Sequence, residues 1–226
     1  MLNRAARYFS LLKELKGALG DHPRILEIGS GSIGIGEFLR RPFVGCDLRF
    51  DRPPGKPMMP VVASGAQLPF ASKSFDVVIS SDVLEHVPPE YRQTVIAEAL
   101  RVSRKTVLFC FPCGPRAFAL DQKLNADYEK CGKGSPVWLQ EHMMHPFPDR
   151  DLFQSLPNGW KVRHKPNECL SFHDWMMHKE MNRGWDYSFR LALLVVPGIV
   201  RHVLSDFDRE PSYRTIFTLI NEGGAE

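Results

Sequence analysis

Charge of one sign is not in excess in this chain: 29 Lys and Arg stand against 26 Asp and Glu, a formal net charge of +3. That balance lacks the dense positive stripe with which proteins grip phosphate backbones, so no nucleic-acid partner is expected. Cysteine is sparse. The five present, Cys46, Cys110, Cys113, Cys131 and Cys169, are odd in number and scattered, which excludes a disulfide framework and fits reduced thiols. Long apolar runs are also missing. The most apolar stretch, Leu191 to Val200, is ten residues long and contains Pro197 and Gly198, whereas a membrane-spanning helix needs about 20 apolar residues. The opening MLNRAARYFSLLKELKGALG interleaves charges at helical spacing and shows no export signal, so a cytoplasmic location is expected. The 17 Gly and 18 Pro follow no period and no internal repeat is found, which excludes collagen-like and solenoid designs. What remains is 226 residues, 43% of them hydrophobic: material for one packed core, and one domain over 1–226 is expected.

The order of elements predicts a sheet with helices on both faces. Tyr8, Leu11, Leu12, Leu15 and Leu19 fall on one stripe of a helix expected over 5–20, closed by Gly20 and Pro23. A core follows over 22–112. Its expected strands are Arg24 to Ile28, Phe43 to Asp47, a weak pair at Val61 and Val62, Phe75 to Ile79, and Thr106 to Phe111. Helices are expected over Gly34 to Arg40 and Pro89 to Val102, the latter with Pro at its start. Residues 113–146 read as an insertion above the carboxyl edge of the sheet. The last strands are expected at Trp160 to His164 and Tyr213 to Ile220, within a C-terminal part (160–220) that carries a Met- and aromatic-rich helical stretch over 171–205. Alternating strands and helices predict an α/β, doubly wound, mostly parallel sheet.

The stretch ILEIGSGSIGIGEFL (Ile25 to Leu39) places Gly29, Gly31 and Gly34 between a strand and a helix, where missing side chains let a ligand touch the backbone. Asp47 closes the next strand eighteen residues after Gly29, where a carboxylate can accept both hydroxyls of an adenosyl ribose. A dinucleotide dehydrogenase uses the same glycines and the same acid. Glu27 separates the two readings: it puts a carboxylate on the first strand, where a dehydrogenase has an apolar residue and a cationic ligand such as S-adenosylmethionine would want an anion.

With GAQLPFASKSFDVVISSDVLEHVP (Gly65 to Pro88) added, residues 22–112 resemble the class I S-adenosylmethionine-dependent methyltransferases, and in particular their type-11 branch. The resemblance implies a Rossmann-like, mostly parallel seven-stranded sheet with a helical insertion or cap, and S-adenosylmethionine as cofactor. It implies that the turn Gly29, Ser30, Gly31 passes under the methionine part, with Glu27 near the ammonium group. Asp47 would hold the ribose, Leu48 would pack on adenine, and Gly65 and Ala66 would approach the adenine edge. Where relatives often carry an Asp four residues before Leu-Pro-Phe, this chain has Ser64, whose hydroxyl could take the adenine amino group without charge. Ser80, Ser81 and Asp82 would line the methionine side.

Methyl transfer to an OH or NH acceptor needs a proton removed, and His86 in DVLEH is the candidate base because a neutral imidazole can take it at physiological pH. Asp82, Glu85 and His86 also resemble the E-x-x-E-H of ubiquinone-pathway O-methyltransferases, with Asp82 in place of the first Glu. A helix-start carboxylate pair is the commoner use of such residues, and no metal is expected. Cys110 and Cys113, with Cys131, His142 and His145 downstream, are poorly spaced for zinc. Glu141 and His142 in WLQEHMMHPFP are second candidates for facing the substrate. The 171–205 stretch fits core packing, a hydrophobic lid, a membrane-surface helix or a dimer face, so peripheral membrane contact stays open. The function expected is methyl transfer from S-adenosylmethionine to a small or lipid-like acceptor, with O-methylation favoured. The alternatives are an accessory protein that keeps the cofactor fold without turnover, and an NAD-dependent oxidoreductase. Oligomeric state is not legible.

Overall fold

A computed structural model describes residues 2–16, 22–39, 41–180 and 183–224. The chain opens with helix α1 (Leu2–Lys16), followed by strands β1 (Ile25–Ile28), β2 (Phe43–Asp47), β3 (Met58–Val62) and β4 (Phe75–Ser81). Helix α2 (Pro89–Val102) leads into β5 (Ser103–Pro112), and α3 (Gly114–Lys130) and α4 (Val137–His142) form the insertion. Strand β6 (Trp160–Cys169), helices α5 (Leu170–Glu180), α6 (Arg183–Val195) and α7 (Pro197–Ser205), and strand β7 (Ser212–Asn221) complete it.

The seven strands form one sheet in the order β3-β2-β1-β4-β5-β7-β6. The first five are parallel, β7 runs antiparallel to β5, and β6 pairs antiparallel with β7. The expected α/β, Rossmann-like class is therefore the observed one. Its physical basis is visible in β5, a continuous apolar run buried on both faces. Val107, Phe109 and Phe111 join the cluster that includes Ile96 and Leu100 of α2, while Leu108 and Cys110 join the one that includes α1.

On that second face Tyr8, Leu11, Leu12 and Leu15 of α1 are buried at helical spacing against Ile25, Val77, Ile79 and Ile216. Each such side chain contributes about 1.5–3 kcal/mol relative to exposure. Helix α1 begins at Leu2, three residues before its expected start, and Leu19 and Gly20 lie outside the described residues.

Two expectations are corrected. The helix expected over Gly34 to Arg40 is a single 3-10 turn, Gly34–Glu37. Its spacing was right, but Gly34 sits at φ +53 and Gly36 follows, while no side chain caps the turn at Ile33. Strand β6 continues past His164 to Cys169 through Pro166. Proline is tolerated there because β6 is the sheet edge, where a missing N–H costs no ladder bond on the open side.

Leu11 has no exposed surface and no polar atom beyond its backbone. Leu11→Ala is expected to lower unfolding free energy by about 2–5 kcal/mol in urea titration, through lost transfer energy and the cavity left behind.

Candidate active site

The parallel strands bring their carboxyl ends to one edge, and the chain reverses its lateral direction between β1 and β4, which opens a crevice there. Gly29 N–H donates to the Cys46 carbonyl at 2.8 Å, so the turn after β1 is pinned to the end of β2. The result places Gly31 N–H 2.7 Å from Asp47 Oδ2, to which it donates. A cleft of about 1130 Å³ lies beside this bond. Its walls include Gly29, Gly31, Asp47, Leu48, Ser64, Gly65, Ala66, Asp82 and His86, together with Trp138 and Glu141 of the insertion. A smaller concavity of about 320 Å³ shares Gly29, Gly31, Asp47 and Asp82 with it, and adds Ser30, Ser81, Arg4 and Arg7.

Glycine is required at two of these positions for different reasons. A Cβ on Gly29 would lie 2.1 Å from a Val83 methyl, so the turn can pass the loop after β4 only without a side chain. Gly31 sits at φ +53 and a Cβ there would meet nothing within 4 Å, so its backbone faces open space. Leu48 is 71% exposed at the cleft wall, an apolar surface with no protein cover. The Ser64 hydroxyl accepts from Ala66 N–H at 3.2 Å, which shapes the turn after β3. Ser81 is buried and its Oγ has no hydrogen-bond partner.

Glu27 is fully buried behind Tyr8 and Gly34, which line the smaller concavity, and is not itself among the lining residues of either space. Its Oε1 accepts from the Tyr8 hydroxyl at 2.8 Å and its Oε2 from Ile35 N–H at 2.7 Å. The carboxylate thus holds the glycine loop from beneath and ties it to α1. Burial pushes this carboxyl up to about 7, against the opposing pull of its two hydrogen bonds and of Arg7 and Arg4.

Asp82 follows β4 in the left-handed region, φ +50, which turns its carboxylate back toward the sheet. There it accepts a bidentate pair from Arg214, Nε to Oδ1 and Nη2 to Oδ2, both at 2.9 Å, and a further bond from Arg7. Burial opposes its charge, but the two guanidinium groups prevail and hold it well below the usual carboxylate range. Arg214 also donates to Glu168 Oε2 at 2.6 Å and to Asn3 Oδ1 at 2.9 Å.

Asp82 is therefore taken, and the D-x-x-E-H set is split. Glu85 and His86 face the insertion instead, where one ligand-type atom from each of Glu85, His86 and His142 lies within 4.8 Å of the others. The His86 and His142 rings are 4.8 Å apart, and His86 Nδ1 is 3.3 Å from Glu141 Oε2. His142 Nδ1–H donates to Asp121 Oδ2 at 2.6 Å, and the Tyr213 hydroxyl donates to the same oxygen at 2.8 Å. Burial, followed by His142, lowers the His86 pKa below its usual 6.5, so the ring is neutral at physiological pH. Burial and the Asp82 charge push the Glu85 carboxyl well up. Arg92 braces this corner by donating to the carbonyls of Val87 at 2.9 Å and Pro146 at 2.8 Å.

Sequence reasoning brought together the residues of the cleft itself and named Glu141 and His142. It missed Arg7 and Arg214. The signal for Arg214 was available, a lone charge inside the apolar run Tyr213 to Ile220, but its partner Asp82 is 132 residues away.

Residues 26–111 match the type-11 methyltransferase domain family, through the strands and loops that build the cleft. None of the curated proteins matches the chain. Among solved structures, the plantazolicin methyltransferase bound to S-adenosylhomocysteine is similar at 11% identity, covering 98% of this chain and 84% of that one, with a TM-score of 0.55. The magnesium protoporphyrin IX methyltransferase of Synechocystis PCC 6803 is similar at 12% identity, over 97% and 83% of the two chains, with a TM-score of 0.52. A protein from Bacillus subtilis follows at 13% identity, over 95% and 98%, with a TM-score of 0.51. At these identities the likenesses show the fold. Residues 26–111 thus carry the pattern of the type-11 methyltransferase domain, and it is over this stretch that the chain is similar to S-adenosylmethionine-dependent methyltransferases.

The raised Glu27 pKa makes a pH prediction. Unfolded, this carboxyl ionises near 4.5; folded, it stays protonated to about 7. Its contribution to stability is complete below pH 4.5, declines as pH rises toward about 7 and is level above, a change of about 3 kcal/mol at most. Glu27→Gln can still accept from Ile35 and donate to the Tyr8 oxygen. It is expected to flatten that slope in urea unfolding across pH, and an unaltered slope would assign it to other groups.

Proposed function

We propose that the chain, acting as a single domain over 1–226 in the cytoplasm, methylates an oxygen atom of a small or lipid-like acceptor, with His86 as general base. The observation that supports it best is His86, kept neutral by its surroundings, on the wall of the cleft that also carries Asp47 and Gly31.

The residues present fit S-adenosylmethionine, because Gly31 presents bare backbone to open space and Ser81 Oγ is an unused buried polar atom beside it. Asp47 would accept from the ribose hydroxyls, Leu48 would cover adenine, and Ser64, Gly65 and Ala66 would border its edge. The turn Gly29, Ser30, Gly31 and Ser81 would border the methionine part, where Arg4 and Arg7 add positive charge suited to its carboxylate. Glu27 acts through the loop it supports. When bound, this cofactor supplies a methyl group made electrophilic by the neighbouring sulfonium.

The rest is done by the chain. Trp138 and Glu141 line the cleft together with His86, where they would border an acceptor and help to orient it. The unprotonated His86 takes the acceptor proton as the new bond forms, and the imidazolium then faces Glu141 Oε2, 3.3 Å from Nδ1. The Asp121 carboxylate fixes His142, and the His142 ring in turn limits how His86 can turn. A small or lipid-like acceptor is supported by the apolar part of the cleft wall and by the absence of a strong charge excess in the sequence.

Two variants separate cofactor binding from chemistry. Asp47→Ala should weaken S-adenosylmethionine binding by about tenfold to a hundredfold in calorimetry, the value of a charge-assisted hydrogen bond. NADH should not bind either protein, and NADH binding would favour the oxidoreductase reading. His86→Ala should leave cofactor affinity in place and lower kcat by about 10²–10⁴ once an acceptor is found. In the parent enzyme kcat/KM should fall on the acid side with a midpoint below 6.5, as His86 becomes protonated. A midpoint unmoved by the variant would remove His86 from the reaction.

A further inference from the structure

The helices between β6 and β7 carry apolar surface on two sides. Phe189, Leu193, Val200 and Leu204 pack inward against the cluster of Phe172 and Met176. Tyr187, Leu191, Leu194 and Val195 of α6 form a second stripe at helical spacing that is exposed, and Ile199 and Val203 of α7 extend it. Leu194 is 81% and Val195 69% exposed. A continuous uncovered patch of this kind marks a docking surface.

Charge says what docks there. From Tyr187 to Ser205 the sequence contains Arg190, Arg201 and His202 and no Asp or Glu. Beside α7, a groove brings Lys13 and Lys16 of α1 together with Arg201 and His202. Trp175 is exposed and Trp185 half-buried at the rim of an apolar cavity of about 410 Å³ next to the hairpin, and tryptophan favours a membrane interface. A second copy of this chain docked through the same stripe would set the basic groove and the acid-free stretch 187–205 against their own copies, with no acid within that stretch to meet them.

We infer that the α6–α7 hairpin docks on the surface of a bilayer containing anionic phospholipid. Its stripe enters the acyl boundary, while the lysines and arginine reach the headgroups. The hairpin does not cross. Its two arms meet at 110° and α7 has nine residues, a rise of about 14 Å against a hydrocarbon core of about 30 Å. The inference stands on this surface alone and does not depend on the acceptor or on His86.

Co-sedimentation with phosphatidylcholine vesicles, with and without phosphatidylglycerol, tests it on the full chain. The protein is expected to pellet with the anionic vesicles and to be released as salt rises. Leu194→Glu with Val195→Glu, both at exposed sites, should weaken binding by roughly tenfold or more while S-adenosylmethionine affinity stays unchanged. Lys13→Glu with Lys16→Glu should remove the preference for the anionic vesicles. Recovery in the supernatant with both vesicle types overturns the inference. So does a dimer in sedimentation equilibrium that the Leu194 and Val195 variant dissolves, since a second copy would then cover the stripe.

Discussion

The carboxyl edge of the sheet is organised around one buried cation, Arg214. Its guanidinium gives two bonds to Asp82, one to Glu168 and one to Asn3, so it joins β7 to the loop after β4, to β6 and to α1. Both of its carboxylate partners are non-glycine residues in the left-handed region, Asp82 at φ +50 and Glu168 at φ +61. Such conformations cost about 1–3 kcal/mol each and persist only where the surroundings over-determine them. A buried ion pair of this kind adds little net stability compared with apolar packing, but losing one partner leaves a bare charge inside the protein. Its value here is positional: it fixes where the chain leaves β4, and Val83, Glu85 and His86 take their places from that.

From this point the cleft is assembled by two sets of groups with different physics. The side proposed for the cofactor is mostly backbone, because Gly29 and Gly65 are where a side chain would collide with its neighbours and Gly31 faces open space. The side proposed for the acceptor is side chains contributed from the insertion, Trp138 and Glu141, with His142 and Asp121 behind them. Backbone sites tolerate little change and serve a common cofactor. Side chains on an inserted helix can be exchanged without disturbing the sheet, which is how one fold accommodates different acceptors.

How much of this was legible in the sequence follows the range of the interactions. β4, α2 and β5 could be placed because FDVVI, the Pro at the start of α2 and TVLFCF each declare their state within a few residues. Asp47 could be placed because it ends a strand at a fixed interval after Gly29. At the 3-10 turn Gly34–Glu37 the helical spacing of Ile35, Phe38 and Leu39 predicts a longer helix, because the glycines that shorten it also fit a ligand-binding turn. Glu27 stands out in the sequence as a carboxylate on β1, but not the direction of its side chain, which depends on Tyr8 in a helix whose apolar stripe looks like simple core. The Arg7–Asp82–Arg214 cluster was hidden altogether. No local pattern links residues from the first helix, the middle of the sheet and the last strand.

Such long-range closure has a temporal side. At a synthesis rate of about 5–20 residues per second, the 132 residues between Asp82 and Arg214 take roughly 7 to 26 s to appear. During that interval the residues of the five parallel strands, with Arg7 and Asp82, are already synthesised, while the third charge of the cluster is not. The nascent chain thus holds the residues of β1 to β5 before it has the arginine that fixes the loop leading to His86, and the sheet becomes whole only when β7 enters between β5 and β6.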